Sequence, residues 1–193
     1  MIERASALAA RVPAESRSDL IRAASRGDGD AFQQVVATQL DRSYRTAKAI
    51  LGNEEDARDA TQDAFVSAWR DLAALRDPAQ FDAWLQRIVV NACRTILRRR
   101  ARVREIRLEP SFDRGDAAPA LQDQVGDTDV LSRAFDRLDA DKRSILVLHH
   151  LEHQPLASIA ATLGIPVGTL KWRLADARGA LARALVAEGG ARR

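Results

Sequence analysis

The sequence predicts an all-α protein: two small helical domains joined by a flexible linker, the second containing a helix-turn-helix. Three observations predict it. Strong helix formers dominate the 193 residues, with only six prolines and few aromatics, so the cores must be built from Leu, Ile, Val and Ala. Apolar residues recur at helical spacing over two long stretches, with neither strand alternation nor a long-period repeat. Between those stretches the period dissolves into "ARVREIRLEPSFDRGDAAPALQDQVGDTD", rich in charge, Pro and Gly, which reads as a linker. The predicted layout is a loose extension over 1–18, a first domain over 19–100, the linker over 101–129, a second domain over 130–186 and a tail over 187–193. Each domain sits near the lower size limit for a self-sufficient core, so a partner that holds both makes physical sense.

In the first domain, "NEEDARDATQDAFVSAWRDL" carries Glu54, Glu55, Asp56, Asp59 and Asp63. On a helix, Asp56, Asp59 and Asp63 share one acidic face, at i, i+3 and i+7, and Phe65, Ala68, Trp69 and Leu72 share an apolar one. By itself the acidic face reads as solvated surface and helix-N-terminal charge. The next helix, "FDAWLQRIVVNACRTILRRRARVREIR", has the opposite sign. Phe81, Trp84, Leu85, Ile88 and Cys93 are its expected core. Arg87, Arg94, Arg98, Arg99, Arg100, Arg102, Arg104 and Arg107 form a basic strip against Glu105 alone, either a solvated face or, as we read it, the footprint of a polyanion binder. Asn91 on the same helix can hydrogen-bond a base edge or backbone. The preceding loop "LRDPAQF" is short and suited to hold an unstacked base.

In the second domain, "PLASIAATLGIPVGTLKWRLADARGAL" puts Leu156, Ile159, Ala160 and Leu163 on one helical face. Gly164 supplies the turn and Pro166 opens a new helix. There Val167, Leu170, Leu174, Ala177 and Leu181 share the inward face. An ordinary αα-hairpin would fit the spacing. The Gly-containing turn and basic residues match the DNA-binding helix-turn-helix better. At ~100° per residue Trp172 falls opposite Leu170 and Leu174. Gly168, Ala175 and Gly179 lie beside it, with Thr169 and Lys171 flanking. Lys171 and Arg173 can reach phosphates or guanine edges, and the indole can touch a thymine methyl. The competing placement packs Trp172 on a neighbouring helix or the tail.

Composition excludes other classes. A net charge of +3 and one cysteine, Cys93, fit a reducing cytoplasm and no disulfide framework. The N-terminus makes a poor signal peptide, and no apolar run approaches the roughly 18 residues of a membrane span, so no membrane insertion is expected. "HHLEH" sets His149 and His153 at i, i+4 but lacks the metalloprotease Glu and a third ligand, so no metal is expected there. With no nucleophile elbow or phosphate loop, the protein reads as no enzyme and as needing no cofactor.

Three segments carry a family resemblance. "DARDATQDAF" resembles the acidic-alanine helix, "FDAWLQRIVVNACRTILRR" the Trp-Leu-x-x-Ile-x-x-Asn helix, and "GIPVGTLKWRLADAR" the Pro-x-Gly-Thr-Val-Lys-Ser-Arg-Leu helix of the extracytoplasmic-function (ECF) sigma factors of the sigma-70 family. The resemblance spans about Asp30 to Arg100 and Val130 to Leu185. It implies a sigma factor that binds core RNA polymerase and directs promoter recognition, melting and transcription initiation; the alternative is a stand-alone helix-turn-helix regulator. It implies that Asp56, Asp59, Gln62 and Asp63 meet the polymerase's largest subunit. The "RDPAQF" loop, with Asp77 and Gln80, would capture a flipped minus-10 base while Asn91, Arg94, Arg98 and Arg99 hold the opened strand. Thr169, Lys171, Trp172 and Arg173 would read the minus-35 duplex. An anti-sigma factor is a further partner the family allows. Thr95, Trp172 and Asp176 depart from the family pattern, where an Asp, a small residue and a basic residue are usual.

Overall fold

The computed structural model describes residues 14–108 and 127–190, and among these all regular structure is helical. The first domain comprises α1 (Ala14–Ser25), α2 (Gly29–Leu51), α3 (Glu54–Asp71), two 3₁₀ turns (Leu72–Ala74 and Pro78–Gln80) and α4 (Phe81–Leu108). The second comprises α5 (Asp127–Asp136), α6 (Ala140–Leu146), a π turn (Val147–Leu151), α7 (Leu156–Leu163) and α8 (Val167–Gly190).

Local chemistry sets the boundaries. Asp28 caps α2 by accepting from the Ala31 amide at 3.0 Å, and Asn53 caps α3 from the Asp56 amide at 2.9 Å; each satisfies an amide the helix cannot. Gly52, at φ 80°, ends α2 in the left-handed region. Gly164, at φ 66°, ends α7 with the Ile165 amide bonded to Ala160 and the Gly164 amide to Ala161. This Schellman pattern makes the tight helix-turn-helix corner. The second helix starts at Val167, one residue after the expected Pro166.

The predicted core is largely present. Phe65, Ala68, Leu72, Phe81 and Leu85 are buried with Val35 and Ile21, while Cys93, Ile159, Leu170, Leu174 and Ala177 lie in a second buried cluster. Two apolar positions depart from expectation. Trp69 is 42% exposed and packs against Phe32, the rings tilted by 52° with centroids 4.8 Å apart, because it sits at the margin of the α3 stripe. Val167 is exposed because, as the first residue of α8, it lies beyond the cover of α7.

The boundaries shift as well. Helix α1 begins at Ala14, inside the expected extension, α4 continues to Leu108 into the expected linker, and α5 starts at Asp127. α8 runs to Gly190, into the expected tail. The central linker and the first and last residues lie outside the described residues. The larger change is that the domains pack together. Ala47, Ile50, Val90, Cys93 and Ile96 of the first domain share one apolar cluster with Ile145, Leu148, Ile159 and Leu170 of the second. Helix α4 packs against both α6 and α7.

Candidate nucleic-acid interface

Helix α3 turns its alanines inward. Ala57, Ala60, Ala64 and Ala68 are fully buried, and such small side chains let α2 and α4 approach closely. The opposite face is left to Asp59, Gln62 and Asp63, all exposed. Asp56 is not part of that open face. Its side chain is 15% exposed and ion-paired with Arg100 of α4. A helical wheel cannot anticipate this, since the partner comes from another helix.

The basic strip divides in the same way. Arg98, Arg99 and Arg102 are exposed, and Arg100 is committed to Asp56. Arg94 is only 16% exposed and binds Asp141 of the second domain, Nε at 2.8 Å and Nη2 at 2.7 Å. The side chains of Arg104 and Arg107 lie outside the described residues. Asn91 is exposed, and the Thr95 hydroxyl donates to the Asn91 carbonyl at 2.9 Å. That bond is how the helix absorbs a Thr where the family has Asp. In the loop before α4, Asp77 accepts the Ala79 amide at 2.9 Å and so shapes the 3₁₀ turn, leaving Gln80 exposed. Asp82, just past the turn, receives Gln39 at 3.1 Å and an ion pair from Arg17 of α1.

On α8, Thr169, Lys171 and Trp172 face outward, the indole 69% exposed, while Arg173 is half-buried. Of the two placements open for Trp172, the outward one is present. A side chain at Gly168 would meet nothing within 4 Å, whereas Arg183 reaches to 3.4 Å of such a side chain at Gly179. Asp176, the acidic departure on this helix, pairs with Lys142 at 3.3 Å. Lys142 also bonds Asp139 at 2.7 Å, and this bond raises the lysine pKa. Trp172, Arg173 and Asp176 line an open groove whose other wall includes Arg98 and Arg100.

The residues weighed for other chemistry sit apart from this surface. Burial pushes the Cys93 thiol up to about 12, which leaves it protonated and unreactive at neutral pH. The His149 and His150 rings stand 4.7 Å apart, and Arg178 donates to His150 at 3.2 Å. Among the described residues no group of three or more His, Cys, Asp or Glu could hold a metal ion.

A sigma-70 region 2 family model matches residues 35–103 and a sigma-70 region 4 model matches residues 128–181. The ECF RNA polymerase sigma factor SigM of Mycobacterium tuberculosis is 35% identical over 170 residues, covering 88% of this chain and 85% of the relative. The chain belongs to the ECF RNA polymerase sigma factors. SigW of Bacillus subtilis is 28% identical over 178 residues, covering 86% of this chain and 94% of SigW. Among solved structures, CnrH in complex with the cytosolic domain of CnrY is 29% identical with TM-score 0.60, over 89% of this chain and 97% of that one. RpoE in complex with the anti-sigma factor NepR from Bartonella quintana is 25% identical with TM-score 0.59, over 80% and 96%.

The sigma factor's first domain is thus region 2 and its second is region 4. Such domains bind core polymerase and promoter DNA, and the protein is a transcription initiation factor. The stand-alone regulator would leave region 2 without a role. No described helix is long and apolar enough to cross a membrane.

Sequence reading missed Asp141, Glu152 and Arg143. Glu152, 12% exposed, holds Arg42 of α2 at 3.1 Å and accepts the Thr46 hydroxyl at 3.0 Å. Arg143 is buried and donates to the carbonyls of Leu138 at 3.1 Å, Asp136 at 2.6 Å and, across the domain boundary, Ile50 at 3.4 Å. A cation at the end of α2 complements the helix dipole. No local pattern marks these three residues.

Proposed function

We propose that the sigma factor divides its work among three surfaces. Asp59, Gln62 and Asp63 form the contact with core polymerase, and Asp56 supports the face from behind through Arg100. Asp77 and Gln80 border the pocket for a flipped minus-10 base, and Asn91, Arg94, Arg98 and Arg99 hold the opened strand. Thr169, Lys171, Trp172 and Arg173 read the minus-35 duplex. Lys171 and Arg173 supply phosphate or guanine contacts, and the indole supplies an apolar one. The observation that carries this reading is the opposition of charge within region 2: an exposed acidic face on α3 and an exposed basic strip on α4. The first suits a basic protein surface and the second a polyanion.

The working domains are taken as 14–108 and 127–190. The factor acts in the cytoplasm, beside core polymerase, as a non-enzymatic subunit without metal or cofactor. The similar factor RpoE, co-crystallised with the anti-sigma factor NepR, supports an anti-sigma partner here too. The deciding experiment is transcription in vitro with purified core polymerase, with and without the protein. Promoter-specific initiation that depends on it is expected. Tight, sequence-specific duplex binding by the protein alone, with no stimulation of core, would overturn the reading.

A further inference from the structure

The loop between the two 3₁₀ turns of region 2 is held from behind by helix α1. Ile21 and Ala24 of α1 are buried in one apolar cluster with Leu72, which opens the first turn, and Phe81, which follows the second. Helix α1 packs against both turns. Between those anchors Arg76, Asp77 and Gln80 stay exposed. Apolar burial fixes where the loop begins and ends, but it is non-directional and leaves the tilt unset. A polar contact supplies the direction. The Arg17 guanidinium of α1 grips the Asp82 carboxylate with both terminal nitrogens: Nη1 donates to Oδ2 at 3.0 Å, and Nη2 donates to Oδ1. Gln39 Nε2 of α2 also donates to Oδ1, at 3.1 Å. Such a fork sets the orientation of the two groups as well as their separation. Asp82 stands in the first turn of α4, just past Gln80. At ~100° per residue it lies on the far side of α4 from Asn91 and Arg98, so the fork grips the helix without occupying the face proposed for the strand.

We propose that Arg17 is a positioning residue for minus-10 base capture: through Asp82 it fixes the angle at which the loop carrying Asp77 and Gln80 enters α4. The inference rests on the role proposed above for that loop. Extruding a base from the stack is unfavourable, and the contacts made in the pocket must offset it. A loop that has to be ordered at the same moment loses part of that gain to its own conformational entropy. Bracing from α1 removes that loss, because the loop already stands where the base arrives. The fork is half-buried, with Arg17 31% and Asp82 42% exposed, and ion pairs with that much solvent contact contribute little to global stability. Its effect is on local order, so its removal should leave region 2 folded.

The test uses reconstituted holoenzyme and forked promoter probes, duplex upstream and single-stranded across the minus-10 element, with each minus-10 base removed in turn. For wild type, the probe lacking the captured base should bind several-fold more weakly than the intact one. Arg17→Ala should bind the intact probe several-fold more weakly than wild type does, and the probe lacking that base equally well. A merely structural defect would lower both alike. Arg17→Lys keeps the charge but loses the fork, and should recover only part of the loss. Asp82→Ala should match Arg17→Ala, and the double variant should be no weaker than either single one. Core pull-down should be unchanged throughout. Wild-type affinity for the intact probe in Arg17→Ala, an equal loss on the abasic probe, or additive losses in the double variant would each overturn the proposal. If Arg17→Ala fails to fold, Arg17→Lys and Asp82→Asn carry the same comparison. Gln80→Ala tests the loop itself: lost base discrimination there with none lost in Arg17→Ala would leave the loop's role standing and sink only the brace. A wild type with no base-dependent position would sink both.

Discussion

Region 2 and region 4 are both helical, yet they bury different side chains. The α3 stripe of region 2 is alanine: Ala57, Ala60, Ala64 and Ala68. Region 4 fills its centre with Ile145, Leu148, Ile159, Leu170 and Leu174. Long helices can pack closely on small residues because contact is spread along their length. Helices α6 and α7 of region 4 are short and offer few positions, so each must bury a large group to offset its ordering entropy. The contrast extends to charge. Region 2 keeps an acidic face open on α3, and on α4 Arg98, Arg99 and Arg102 stay exposed while Arg94 and Arg100 are ion-paired within the molecule. On the recognition helix, Lys171 has no ion-pair partner among the described residues.

If the open acidic face is the polymerase contact, Asp59→Lys with Asp63→Lys should abolish core binding, because like charges across an interface cost several kcal/mol. Helicity by circular dichroism should be unchanged, and a pull-down with core reads the loss. Retained binding would remove the functional side of the contrast.

The two kinds of packing, which meet in one shared apolar cluster, should respond to opposite insults. Leu170→Ala, in the large-residue core, should cost ~2–5 kcal/mol in a denaturant melt. Ala60→Leu, in the small-residue stripe, should cost ~1–3 kcal/mol by overpacking. A Leu170→Ala protein of wild-type stability would show that region 4 does not depend on single large side chains.

A subtler effect belongs to region 4. Glu188 on α8 bonds Arg133 at 2.9 Å and also pairs with Arg137, both of α5. The Arg133 bond chiefly holds its carboxyl below the ordinary value. Its contribution is therefore present above the ordinary carboxylate pKa and lost as pH falls through the lowered one. Melting curves should show region 4 loosening below about pH 4, and Glu188→Gln should weaken that dependence.

The smallest change in stability is expected at Trp172. Being exposed, Trp172→Ser should leave stability within ~0.5 kcal/mol while altering minus-35 preference in a holoenzyme binding screen. Lys171→Ala should weaken all sequences alike and reduce the salt slope by about one. A Trp172→Ser protein with unchanged preference would remove the indole from the reading surface.

Much of this was legible in residue spacing. Apolar recurrence located the helices, Gly164 the corner, and the helical angle from Leu170 put Trp172 outside. The helix ends were less legible. The segment "ARVREIR" lacks an apolar period, yet Arg and Glu are good helix formers and α4 continues through it. Trp69 looked inward because periodicity gives a direction without saying how far the neighbouring helix reaches.

By itself the sequence determined the helical class, the two domains, the recognition helix and the sign of each charged face. Those properties depend on neighbours within a turn or two of the same helix. Tertiary structure decided which charges are spoken for. Arg94 finds Asp141 across 47 residues, and Arg42 finds Glu152 across 110. Nothing in local spacing encodes such pairs. They exist because apolar burial brings α4 against α6 and α7, and an ion pair's energy depends on the separation and burial that this packing sets.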